Sequence, residues 1–192
     1  MAGAAGDTRT ALVQTMARLL REQGYAATAL AQVLAESGAS NGSLYHYFPG
    51  GMEELAEVAL QTSGKVVAGA LRKALDAAPD TAAGLSGFLD MSESLFAQQP
   101  CGGCPISPTA LESPTVSPRL RLAATNCFQT WQALIAASLR SDGWAEDTVH
   151  SAASAALALV EGALLLARVS GQLDHLENAR RGLQSLLARP QR

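Results

Sequence analysis

The chain has 192 residues, 48% of them hydrophobic and 16% charged, with a formal net charge of −3 at pH 7. That length can bury a real core in one domain or two small ones, and the composition excludes an intrinsically disordered chain. The opening MAGAAGDTRT lacks the apolar stretch with positive flanks of a signal peptide, so a cytoplasmic location is expected. Gly, Ala and Leu abound while strand formers are sparse, which predicts an all-α fold.

Residues 1 to 7 are small and polar and are expected to fray. Thr8 to Gln23 reads as the first helix, with Leu12, Met16, Leu19 and Leu20 inward at helical spacing. Thr28 is placed to cap a second helix carrying Leu30, Val33 and Leu34, which Ser37-Gly38-Ala39 breaks. Ser40 caps a third, on which Leu44 and Phe48 share a face, and Pro49-Gly50-Gly51 ends it. The pattern is a helix-turn-helix. Gly42, Ser43 and His46 project away from the Leu44/Phe48 face, with Tyr45 and Tyr47 on its flanks. Asn41 lies in the first turn, the part of a recognition helix that reaches base edges. Thr28, Asn41, Gly42, Ser43, Tyr45, His46 and Tyr47 are therefore the candidate contacts to double-stranded DNA.

A long helix follows from Glu53 to about residue 77, with Leu55, Val58, Ala59, Val66, Leu71 and Leu75 as its stripe. Thr81 to Gln98 is predicted helical, then a proline-rich segment holds a short helix around Ser107 to Glu112 with Pro108 in its first turn. Arg119 to Ser141 offers Leu122, Phe128, Trp131, Leu134 and Ile135 to a core. After the Asp142-Gly143 turn, two helices span Ala145 to Val169 and Asp174 to Leu187. The run from Ala152 to Ala167 is very apolar, but Glu161 interrupts it, and it falls short of the ~20 residues of a membrane span. It reads as a buried helix at a subunit interface. Leu157, Val160, Leu164, Leu176 and Leu183 are the expected contacts of a homodimer, with no membrane partner.

Phe88, Met91, Leu95, Phe128, Trp131 and Leu134 are the candidate lining of a cavity for a small apolar or aromatic ligand, with Asn126, Gln129 and Glu161 to orient it. Cys101 and Cys104 form a C-x-x-C, open to a structural role or a thiol switch. Cys127, His150 and His175 are scattered, so no metal or other cofactor is expected. No G-x-S-x-G, phosphate loop or Cys-His pairing is present, and no enzyme activity is expected. Electrostatically the first 60 residues are unusual for a DNA binder: three arginines (9, 18 and 21) face six carboxylates, three of them at positions 53, 54 and 57.

Residues 8 to 60 resemble the amino-terminal domain of the TetR family of transcriptional regulators. The matching pieces are Glu22-Gln23-Gly24-Tyr25, Ala27-Thr28, Ser37-Gly38-Ala39-Ser40 and Gly42-Ser43-Leu44-Tyr45-His46-Tyr47-Phe48. Asn41 and Met52 stand where a Lys or Arg is common in the family. Further on, Gly103-Cys104-Pro105-Ile106 and Ala110-Leu111-Glu112 resemble the LmrA/YxaF-like branch, which implies a structural Cys104 and an incidental Cys101. The resemblance implies an all-α homodimer with a DNA-binding domain, here 1–52, and a ligand-binding and dimerisation domain, here 53–192. It implies a repressor that leaves its operator when a small-molecule inducer binds; the alternative is a repressor that senses oxidation through Cys101 and Cys104.

Overall fold

The computed structural model describes residues 2–98 and 103–188, all of whose regular structure is helical. The helices are α1 (Ala2–Gln23), α2 (Leu30–Ser37), α3 (Asn41–Tyr47), α4 (Gly51–Asp76), α5 (Thr81–Gln98), α6 (Ser107–Val116), α7 (Pro118–Ser141), α8 (Glu146–Ser170) and α9 (Asp174–Leu186). The first begins at Ala2 rather than Thr8, and α6 runs past Glu112 to Val116.

The chain divides into two compact units, and the division differs from the expected 1–52 and 53–192. The first unit takes residues up to Lys65 together with Pro105–Cys127; the second takes Val66–Cys104 and the chain from Phe128 onward. The physical reason is that α4 and α7 are long helices, each supplying residues to both units.

In the first unit, Leu12, Met16, Leu19 and Leu20 of α1 are buried with Val33, Leu44, Phe48, Leu55 and Leu60. Helix α1 packs against α2, α3 and α6. Ile106, just before α6, joins them with Leu120, Ala123, Ala124 and Cys127 of α7. That row puts the small residues of α7 inward, so Leu122, expected in the core, is 62% exposed.

In the second unit α9 packs on α8 and α5. Buried Thr81 opens α5 by donating both its N–H (2.9 Å) and its hydroxyl (2.6 Å) to the Asp142 carboxylate. Arg180 on α9 pairs with Asp90 (2.8 Å) and Glu93 of α5, tying these helices where they cross. The inner face of α8 is Val149, Ala152, Ala153, Ala156, Val160, Ala163, Leu164 and Ala167.

Four of the five expected dimer contacts are used inside the protomer. Val160, Leu164, Leu176 and Leu183 are enclosed in the protomer's own core, and Leu157 is half-buried. Apolar residues occupy two faces of α8, and periodicity alone does not say which face belongs to the protomer. The outer face carries Ala155, Ala158, Leu165 and Val169, spaced by three, seven and four residues, with Leu166 beside them.

Candidate nucleic-acid interface

The turn of the helix-turn-helix is built as its residues dictate. Gly38 ends α2 at φ 67°, a left-handed conformation that a β-carbon would oppose. Ser40 caps α3, its Oγ accepting from the Ser43 N–H at 3.1 Å. Fully buried Leu44 and almost fully buried Phe48 seat the helix. Seating it this way leaves Asn41, Gly42, Tyr45 and His46 exposed, and Ser43 and Tyr47 half-exposed.

Each exposed group is held differently. The Ser43 hydroxyl lies 2.9 Å from the Ser40 hydroxyl, so part of its hydrogen-bonding capacity belongs to the cap. The Tyr45 ring lies against Gly51, its Cε1 3.3 Å from where a β-carbon on that glycine would stand. His46 and Tyr47 meet edge to face at 4.9 Å. Such packing narrows the rotamers of three large polar side chains before DNA arrives, which lowers the entropy lost on binding.

Thr28 is placed differently from the α3 residues. Residue 29 occupies the cap position of α2 and makes no side-chain cap bond. Thr28, one residue earlier, is buried and donates its hydroxyl to the Gly24 carbonyl at 2.6 Å. It closes the turn after α1.

Gly42 separates fold from contact. A β-carbon there would meet nothing closer than the Ser40 Oγ at 3.8 Å. Gly42→Ala is therefore expected to keep or raise the thermal stability, by up to about 1 kcal/mol for an alanine in place of a helical glycine. If backbone at this position approaches DNA closely, the same methyl weakens duplex binding by about 1–3 kcal/mol. Thermal melts beside duplex titrations check both halves; unchanged binding would remove Gly42 from the contact surface.

The carboxylates beside α3 are already engaged. Glu54 accepts the Gly50 N–H at 2.7 Å, capping α4 from within its first turn. Glu53 accepts from the Ser117 hydroxyl, and Glu57 pairs with Arg119. Arg18 bridges Glu22 (2.6 Å) and Glu36. The negative balance of the first 60 residues is thus offset in part by Arg119, distant in sequence. Burial, with a smaller contribution from Glu53, pushes the Tyr25 phenol up.

In the second unit, Phe88 and Trp131 line a cleft with Leu157, Val160 and Glu161. Its free volume is about 10 Å³, at the limit for one water. Phe128 meets Trp131 edge to face at 5.2 Å but, like half-buried Leu134, is not among the lining. Met91 and Leu95 are exposed, because Leu85 and Leu89 set the inner face of α5. Asn126 and Gln129 are exposed as well, leaving Glu161 as the polar candidate at the cleft.

Cys101 lies outside the described residues. Cys104 and Cys127 are buried, and burial pushes the Cys127 thiol up, away from the reactive thiolate. Among the described residues no three His, Cys, Asp or Glu side chains gather as metal ligands.

Residues that sequence reasoning missed are Arg9, Glu112, Ser117 and Arg119. Glu112 accepts the backbone N–H groups of Tyr25 and Ala26 at 2.8 and 3.0 Å, a pairing no spacing rule reveals.

Comparison with known proteins agrees with this arrangement. Residues 12–59 match the family model described as bacterial regulatory proteins, tetR family, and residues 81–182 match that of the C-terminal domain of LmrA/YxaF-like transcriptional regulators. The chain is 35% identical to the uncharacterized HTH-type transcriptional regulator YxaF of Bacillus subtilis, over 84% of this chain and 85% of that one. It is 32% identical to the HTH-type transcriptional regulator LmrA of the same organism, over 90% and 94% of the two chains. Among solved structures, a TetR transcriptional regulator from Chloroflexus aurantiacus superposes with a TM-score of 0.82 at 28% identity, covering 97% of this chain and 96% of that one. The chain belongs to the TetR family, in its LmrA/YxaF-like branch, and is a DNA-binding transcriptional regulator rather than an enzyme.

Proposed function

We propose that this regulator is a cytoplasmic homodimeric repressor, which reads its operator through α3 of each protomer and releases it when a small apolar or aromatic ligand enters the second unit. The observation that carries the DNA half is α3 itself, where buried Leu44 and Phe48 leave Asn41, Gly42, Tyr45 and His46 presented to the outside. Asn41 at the first turn suits adenine, while the phenols and imidazole suit phosphate oxygens.

The ligand half rests on the Phe88–Trp131 cleft. With room for about one water, it accepts a ligand only by opening, so ligand binding and helix movement are one event. Trp131 sits on α7, whose earlier residues Ser117–Arg119 border and begin the same helix and hold the Glu53 and Glu57 carboxylates of α4. A ligand that binds the opened form better shifts the population by that difference in affinity. A two-fold dimer then converts a change in each protomer into a changed spacing of two recognition helices, set against half-sites one or more turns of about 34–36 Å apart.

The test is retention of a duplex selected from a random pool by the native protein. Tyr45→Ala and His46→Ala are each expected to weaken binding by ~1–3 kcal/mol, roughly 5- to 150-fold. Both side chains are exposed, so the fold should survive, as circular dichroism would verify. Native affinity in both variants would show that α3 is not the reading element. Release of the same duplex by an apolar compound, abolished by Trp131→Ala, tests the ligand half.

A further inference from the structure

We infer that Arg9, in the amino-terminal half of α1, is a phosphate anchor that fixes the recognition helix at the edge of the groove. The inference rests on the DNA-reading role of α3 and names a residue outside the helix-turn-helix. Arg9 is exposed, and its guanidinium carbon stands 5.4 Å from the centre of the Phe48 ring. Phe48 is the residue that closes α3 and is itself buried. The cation is therefore held against a fixed platform at one end of the recognition helix.

The contrast with neighbouring arginines gives Arg9 its meaning. Arg18 is drawn to Glu22 and Glu36, and Arg119 to Glu57. Arg9 makes no ion pair among the described residues. An aromatic face orients a guanidinium without neutralising it, and leaves its planar fork of N–H donors open to an anion.

Position decides which anion. The first turn of a recognition helix reaches base edges, so the opposite end emerges beside the sugar–phosphate backbone. Arg9 and Phe48 mark that opposite end, since Phe48 directly follows the last residue of α3. A planar, bidentate donor there matches a phosphate. With three arginines against six carboxylates in the first 60 residues, one anchored guanidinium per protomer carries a large share of the non-specific attraction.

The experiment uses the full-length protein, a fluorescein-labelled duplex that the native protein selects from a random pool, and a scrambled duplex of equal length. Affinities are measured by anisotropy across a salt series for native protein, Arg9→Gln and Arg9→Lys. Arg9→Gln should weaken both duplexes by the same factor, about 3- to 10-fold at moderate salt, and lower the salt slope by about 0.9 per protomer. Arg9→Lys should restore most of the slope but only part of the affinity, since it lacks the fork. An unchanged slope in Arg9→Gln overturns the inference, as does a loss confined to the selected duplex, which would mean base reading. If the native protein retains no duplex at all, the DNA-reading role of α3 falls with it. Native retention with an indifferent Arg9→Gln removes the anchor alone.

Discussion

Replacing Leu165 and Leu166 together by glutamate is expected to turn the protein into a folded monomer and to weaken operator binding by ~10²–10⁴-fold. Leu165 is 45% exposed, Leu166 52% and Val169 78%, all on the outer side of α8, and Leu186 of α9 is 39% exposed. By length and composition α8 is apolar enough to cross a membrane, with a mean hydropathy of 1.7 over its best window and only 33% of that window buried. Its inner face is committed to α9 and α5, so the remaining apolar surface is the one the proposed homodimer would bury. The small residues Ala155 and Ala158 let two such helices approach closely. Burying a carboxylate there without a partner costs several kcal/mol, and each protomer then binds one half-site alone. Losing the tethered second half-site removes the effective-concentration gain, which sets the factor quoted. Sedimentation velocity gives the oligomeric state, and circular dichroism should report an unchanged fold because both leucines face out of the protomer. A variant that sediments as a dimer would place the interface elsewhere.

That face illustrates what was and was not legible in the sequence. The bounds of α5 and the whole of α3 follow from local chemistry: a breaker at Pro79-Asp80, a cap at Ser40, and Leu44 and Phe48 four residues apart. Such features involve neighbours along the chain, so pattern suffices. On α8 it does not, because Val160 and Leu164 alternate with Leu165 and Val169 around a helix apolar on two sides. Choosing the inner side needs to know where α9 lies. The same limit placed Leu122 in a core that α7 builds instead from Ala123, Ala124 and Cys127, and placed Met91 and Leu95 in a cleft lined by Phe88. Large residues draw a sequence reader's eye, whereas close helix packing selects small ones. Thr28 failed for a different reason: its hydroxyl answers the Gly24 carbonyl behind it, not the helix ahead.

The second large effect is expected at Glu112, whose single carboxylate joins α6 to the turn after α1. Its Oε2 accepts both the Tyr25 and the Ala26 N–H, amides that α2 does not use because it begins only at Leu30. Gly24 makes the fit possible. It has φ 79°, and a β-carbon on it would fall 2.2 Å from Glu112 Oε1. Glu112→Ala should destabilise the protein by about 1.5–3 kcal/mol, as expected when hydrogen bonds to a charged group are lost. Gly24→Ala should cost more than its backbone strain of ~1–2 kcal/mol, because the methyl also displaces the carboxylate from its two donors. A glutamate side chain is flexible enough to swing away, but only by giving up both bonds. The two substitutions are therefore expected to be non-additive. In the Glu112→Ala background, Gly24→Ala should cost only the strain, leaving a coupling of about 0.5–3 kcal/mol in a double-mutant cycle read by urea unfolding. Additive effects would mean that the carboxylate and the turn do not act together. Strong coupling would identify residues 105–127 as a working part of the DNA-reading unit, held there by a side chain whose partners are backbone amides of the α1–α2 turn.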